Sequence, residues 1–183
     1  MNNPFLAGRL VYLRALDRTD APVILPWVND PEVTQQLLVH RPFSLAAEEA
    51  FIDGINRSEA DVVFGICQRE PDRLVGVCGL HRIDYKNAHA MFGIFIGEAD
   101  ARGRGLGTDA TALILQYAFD TANLNRVWLH VFEDNPGAIR VYEKLGFVRE
   151  GLLREDTFRR GRYGNTVVMG ILRADWRGRR REG

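Results

Sequence analysis

The chain is poor in the residues that mark several common functions. It has two cysteines, Cys67 and Cys78, both inside apolar, strand-like runs and without metal-site or catalytic spacing. They read as buried free thiols, and no metal is expected. Lysine is nearly missing, since Lys86 and Lys144 are the only lysines among 24 basic residues. No glycine-rich segment ends in the Lys-Ser/Thr of a P-loop. The 24 basic residues are balanced by 24 acidic ones, so the whole-molecule field does not draw the protein to nucleic acid or an anionic membrane. No window approaches the roughly 20 apolar residues of a membrane span, and the opening "MNNPFLAGRLVYLRALD" lacks the charged-then-apolar layout of a signal peptide. A cytoplasmic protein with no membrane partner is expected.

What is present suits a single globular domain. The 183 residues are 46% hydrophobic and 26% charged, enough to bury a core without disulfides or metal. "RLVYLRA", residues 9–15, alternates as a first strand. "LDRTDAPVILPWVNDPEVTQQLL" reads as helices interrupted by Pro26 and Pro31. "FSLAAEEAFIDGINRS" adds a helix with Ser44 as N-cap and Glu48 nearby. "DVVFGICQRE", "RLVGVCGLHRI" and "NAHAMFGIFIG" are three β-rich runs, the first two joined by the turn "EPDR". They read as an antiparallel meander. "RVWLHVF", residues 126–132, is another strand. A short helix follows in "NPGAIRVYEKLGF", with apolar positions 138, 141, 142 and 145 and its stop at Gly146. Two final strands surround the turn "RRGRYG". The expectation is a mixed α/β (α+β) fold of about six to seven strands. One domain is expected over 1–176, with a basic, disordered tail at 177–183.

The most informative stretch is "EADARGRGLGTDATALILQYAF", residues 98–119. Leu106, Ala110, Leu113, Ile114, Tyr117 and Ala118 recur at helical spacing. Just ahead of them Gly103, Gly105 and Gly107 strip side chains from a strand-to-helix handover. That lets backbone N–H groups converge on an anion, helped by the positive end of the helix. Arg102 and Arg104 are placed to pair with phosphate oxygens, and a pyrophosphate is the natural ligand. Alternatively, the glycines only make a tight turn.

Arg102-Gly103-Arg104-Gly105-Leu106-Gly107 matches the R/Q-x-x-G-x-G/A signature of the GCN5-related N-acetyltransferases, the GNAT superfamily. The chain resembles that family over nearly its whole length. "NPGAIRVYEKLGF" is similar to a second family segment, and "YEKLGFVREG" with "GRYGNTVVMGILRADW" is similar to the RimJ/RimL-like branch. The resemblance implies an acetyl-CoA-dependent N-acetyltransferase that passes an acetyl group directly to a primary amine: a protein N-terminus, a polyamine, an amino sugar or a similar small amine. It also implies a splayed strand pair for the coenzyme, with Arg102, Gly103, Arg104, Gly105, Gly107 and Thr108 at the pyrophosphate. Backbone donors at Phe95 and Ile96 would meet the pantetheine and the oxyanion. Family habit favours a monomer or homodimer.

The same resemblance makes Tyr142 the acid for the departing thiolate; alternatively it is a core residue of its helix. Asn135 would contact the pantetheine arm, and it is equally a good N-cap ahead of Pro136. Ala138 stands beside them in the coenzyme segment, where RimL-type relatives carry a serine. The base does not transfer. Met91 occupies one position where relatives carry glutamate, and Thr157 the other. His89, on the same strand face as Met91, and Glu155 remain as candidates. An acidic lean from Glu48, Glu49, Asp53, Glu59 and Asp61 suits a cationic acceptor, or simply a solvated helix face. The arginine-rich end "RGRRREG" suits RNA contact or a solvated tail. The missing glutamate leaves open a non-catalytic acyl-CoA-binding or sensor protein, and the glycine ladder alone would also fit a nucleotide-phosphate module.

Overall fold

In a computed structural model of the chain, residues 3–37 and 39–176 are described. The basic tail expected at 177–183, with the RNA contact proposed for it, lies outside them. The strands are β1 Leu6–Ala7, β2 Val11–Ala15, β3 Val62–Gln68, β4 Arg73–Asp84, β5 His89–Ile96, β6 Arg126–Phe132, β7 Val148–Arg159 and β8 Arg162–Leu172. They form one sheet in the order β1-β2-β3-β4-β5-β6-β8-β7. The pair β5–β6 is parallel, and β1–β2, β2–β3, β3–β4, β6–β8 and β7–β8 are antiparallel. The mixed, mostly antiparallel sheet is as expected, with eight strands instead of six or seven. The added strand is β1, whose two residues are too short to show a period and form only because β2 supplies partners.

Among the described residues, five α-helices accompany the sheet: α1 Ala21–Val28, α2 Pro31–Thr34, α3 Leu45–Ile55, α4 Leu106–Gln116 and α5 Pro136–Lys144, with a π-turn at Tyr117–Thr121 after α4. Pro26 does not break its helix. It lies inside α1, which runs on to Val28. The ring forfeits one backbone bond, but Ala21, Ile24, Trp27 and Val28 are all buried, and that packing holds the turn together. Pro31 instead opens α2, behind the N-cap Asp30. Ser44 caps α3 as expected, its Oγ accepting from the Ala47 N–H at 3.2 Å.

Residue contacts divide the chain into two compact units, Met1–His81 with Gly93–Ile114, and Arg82–Phe92 with Leu115–Gly183. In the first, Leu16, Ile24, Trp27, Val28, Val33, Ile52, Val63 and Val77 form one apolar cluster that seats α1, α2 and α3 against β3 and β4. The Trp27 indole lies directly on Gly97 and donates from Nε1 to Glu98 Oε1 at 3.2 Å. Cys67 and Cys78 are buried free thiols, and burial pushes both thiol pKa values up, so neither is a ready nucleophile.

In the second unit β6 pairs with β8 in an unbroken register from Arg126↔Leu172 to Phe132↔Thr166, with Val127, Leu129, Val167, Met169 and Ile171 buried. The one buried residue of α5 is Ile139, which the apolar pattern drawn from 138, 141, 142 and 145 passed over. Gly146, with φ of 101°, stops α5 in the left-handed region that glycine enters without strain. The β7–β8 hairpin turns on Arg160 and Gly161, with φ of 50° and 76°, the sense of a two-residue type I′ connection.

Gly97→Ala tests the seat of Trp27. A methyl built there overlaps the indole ring, so the substitution is expected to cost about 1–3 kcal/mol of overpacking. Urea unfolding measures it.

Candidate active site

The first unit carries the strand-to-helix turn. After β5 the backbone N–H groups of Gly97 and Glu98 both donate to the Val75 carbonyl, at 2.9 and 3.2 Å, and a 3-10 turn at Ala99–Ala101 leads into the glycines. Gly103 and Gly105 hold φ of 72° and 82°, where a β-carbon is strained. Gly107 already lies inside α4. The N–H groups of the first turn of a helix have no intrahelical acceptor, so those at the start of α4 remain available to an anion. The first-turn carboxylate of Asp109 is held elsewhere: its Oδ2 accepts from the Leu10 and Val11 N–H groups at 2.9 and 3.1 Å. Thr111 adds a bond from Oγ1 to the Gly107 carbonyl at 2.7 Å.

The two arginines of the ladder part company. Arg102 donates from Nε to the Ile96 carbonyl at 3.1 Å and from Nη2 to the Gly97 carbonyl at 2.8 Å, and its Nη1 lies 3.8 Å from Glu32 of α2. Its guanidinium therefore braces the exit of β5. Arg104 is exposed and Thr108 half-buried. Arg73 grips the same turn, donating to both oxygens of Asp100 at 2.7 and 2.6 Å. Neither Arg73 nor Asp109 was visible as a site residue in sequence, because each acts over a long separation. Phe95 and Ile96 are half-buried, with the Phe95 ring edge-on to Trp27 at 6.4 Å. Gly76 lets β4 approach so closely that a β-carbon there would strike the Phe95 carbonyl.

The second unit carries the α5 candidates. Asn135 is the N-cap, its Oδ1 accepting from the Ala138 N–H at 3.0 Å, with Pro136 next. Tyr142 is half-buried, its ring edge-on to Phe92 at 6.3 Å and to Phe147 at 5.7 Å. Burial pushes the phenol up to about 12. It stays protonated throughout the neutral range, as an unperturbed phenol also does, and the raised pKa makes it a weaker acid. The register between β5 and β6 runs over His89↔Arg126, Ala90↔Val127 and Met91↔Trp128, so His89 sits on the first paired rung. Its Nε2 faces Asp84 Oδ2 at 3.9 Å, while its Nδ1 is buried without a hydrogen-bond partner. Glu155 is exposed at an irregularity of β7, with φ of 51°, and its N–H donates to Asn165 Oδ1 at 2.9 Å.

Residues 10–148 match the family described as the acetyltransferase (GNAT) domain. The chain belongs to the GNAT acetyltransferase family. It is 29% identical over 169 residues to the N-acetyltransferase p20 of Bacillus licheniformis, across 91% of this chain and 94% of that one. It is 37% identical over 103 residues to the spermidine N(1)-acetyltransferase of Vibrio cholerae, across 56% of this chain and 59% of that one. The crystal structure of spermidine N-acetyltransferase from Vibrio cholerae in complex with CoA and spermine superposes with a TM-score of 0.84 at 30% identity, covering 91% of this chain and 97% of that one. The protein is an N-acetyltransferase that uses acetyl-CoA as acyl donor and an amine as acceptor.

Among the acidic residues of α3, Glu48 departs from the rest. It is 3% exposed, one turn before the buried Ile52, and burial raises its carboxyl pKa. A group whose folded pKa lies above its unfolded one binds its proton more tightly in the fold, so stability is present at low pH and is lost as pH rises through that window. Glu48→Gln is expected to raise the melting temperature at pH 7 and to flatten its fall between pH 4 and 7 in a series of thermal melts.

Proposed function

We propose that the acceptor is a polyamine of the spermidine class. The observation that carries this reading is the likeness, over most of both chains, to a spermidine acetyltransferase holding CoA and spermine. The acidic residues Glu48, Glu49, Asp53, Glu59 and Asp61 along α3 and its exit also suit a cationic amine. The reading keeps the chain in the RimJ/RimL-like branch that its C-terminal segments resemble, as one N-acetyltransferase domain over residues 1–176. It also includes a homodimer through β7, the last strand of the sheet, where Val148, Leu152, Leu153 and Phe158 are exposed. Light scattering coupled to gel filtration is expected to give twice the 20.7 kDa chain mass.

In this proposal the backbone N–H groups from Gly103 to Thr108 and the Arg104 side chain hold the coenzyme pyrophosphate, with Arg102 fixing the strand exit that presents them. Asn135 and Ala138 meet the pantetheine arm, and backbone N–H groups of Phe95 and Ile96 meet the coenzyme and the carbonyl oxygen as it gains charge. The amine nitrogen bonds to the thioester carbon and the carbon–sulfur bond breaks. The amine proton passes to a base, and the thiolate takes its proton from Tyr142.

The test is thiol release from acetyl-CoA with spermidine and spermine as acceptors. Turnover is expected with either polyamine, and no thiol release with both while another primary amine is acetylated would overturn the choice of acceptor. Tyr142→Phe is expected to lower kcat by about 10²-fold, as for a lost general acid, with acetyl-CoA affinity unchanged by calorimetry. Unaltered kcat would remove Tyr142 from the chemistry.

A further inference from the structure

We propose that His81, oriented by Asp61, is the general base that takes the proton from the acceptor amine. The sequence alone counted Asp61 within an acidic lean and gave His81 no role. Folding joins them across two strands. The β3–β4 register runs Val63↔Gly79 and Val62↔Leu80, and one step further along the same ladder Asp61 faces His81 on the same side of the sheet. His81 Nδ1 lies 3.0 Å from Asp61 Oδ1. The second oxygen of Asp61 accepts from Ser58 Oγ at 2.7 Å, and Ser58 Oγ in turn accepts from the Ala60 N–H at 3.2 Å. The carboxylate is therefore fixed from behind while it aligns the imidazole. A base with its Nδ1–H held by a carboxylate and its Nε2 bare is the arrangement that proton abstraction by histidine requires.

The Nε2 edge points to the right place. It lies 3.4 Å from the position a β-carbon of Gly93 would occupy. Any larger side chain at 93 would cover it, and glycine leaves it open. Gly93 begins the β5 segment whose backbone at Phe95 and Ile96 is assigned above to the thioester carbonyl. Alternation along β4 puts Val77 and His81 on one face. Val77 is buried beneath α1 and α3, whereas the His81 side chain is 29% exposed. The imidazole thus stands where the helix-covered core ends and an amine can enter from solvent. Among the described residues, no protein group bonds to Nε2.

The step balances as written. Nε2 accepts one proton from the ammonium form of the acceptor, giving a neutral amine and an imidazolium whose charge faces Asp61. The imidazolium passes that proton to solvent. The neutral amine then attacks, its second proton leaves for Nε2 as the carbon–sulfur bond breaks, and the thiolate takes the Tyr142 proton. Solvent returns the phenol and imidazole to their starting forms. This assigns to His81 the base for which the sequence left His89 and Glu155 as candidates, and it rests on amine acetylation, not on which amine is acetylated.

The experiment compares His81→Ala, His81→Gln and Asp61→Asn with the parent enzyme on whichever primary amine that enzyme acetylates, so failure of spermidine alone touches only the choice of acceptor. Both His81 variants are expected to lose about 10²-fold in kcat, the scale of a lost general base, with acetyl-CoA affinity and melting temperature unchanged. Added imidazole is expected to restore part of the rate of His81→Ala only. Asp61→Asn is expected to lose less and to respond to no imidazole. A kcat within about twofold of the parent, far below the general-base scale, in correctly folded His81 variants would overturn the proposal. A second readout needs no acceptor: long-range 1H–15N spectra of the imidazoles are expected to show neutral His81 with its proton on Nδ1 and Nε2 bare. A neutral ring protonated on Nε2 would also overturn it.

Discussion

The exit of β5 sets the terms for everything around it. A strand that turns directly into a helix leaves carbonyls and N–H groups behind, and each must find a partner or water. Here the carbonyls of Ile96 and Gly97 are taken by the Arg102 guanidinium, and the N–H groups of Gly97 and Glu98 by the Val75 carbonyl. Trp27 closes over Gly97, and Arg73 clasps Asp100. With those groups satisfied by Arg102 within the turn and by β4 and α1 beyond it, the first N–H groups of α4 are left without an intrahelical acceptor.

The same economy separates the two kinds of arginine and the two kinds of carboxylate near the turn. Arg102 is spent on backbone oxygens, and Arg104 projects into solvent. Asp109 sits in the first turn of α4, where its charge complements the helix, and it is tied to the start of β2. Glu48, buried on α3, has its carboxyl pKa raised by that burial, which sets it against stability. In the second unit the packing of Tyr142 against Phe92 and Phe147 raises its phenol pKa and holds the hydroxyl neutral.

Much of this was legible in the sequence. The glycine ladder, the N-cap at Asn135 and the stop at Gly146 are local signals, because each depends on backbone geometry within a few residues, and they carried both the family and the coenzyme. The seven strands read from alternation, β-rich runs and turn signals are present for the same reason. What escaped were features created by partners far along the chain. β1 exists only against β2. Pro26 is tolerated only because α1 is packed from below. Ile139, not its neighbours, is the buried residue of α5.

The amino-acid sequence by itself determined most of the strands and helices and the glycine turn, because these follow from local periodicity and conformational freedom, and the motif in that turn carried the resemblance to the GNAT family. Only the tertiary structure decided which of the arginines at 102 and 104 braces the strand, and which histidine comes within hydrogen-bond distance of a carboxylate. Those outcomes depend on strand register and on which side chains reach unsatisfied backbone groups. His81 and Asp61 are twenty residues apart, and nothing short of the β3–β4 ladder brings them to 3.0 Å.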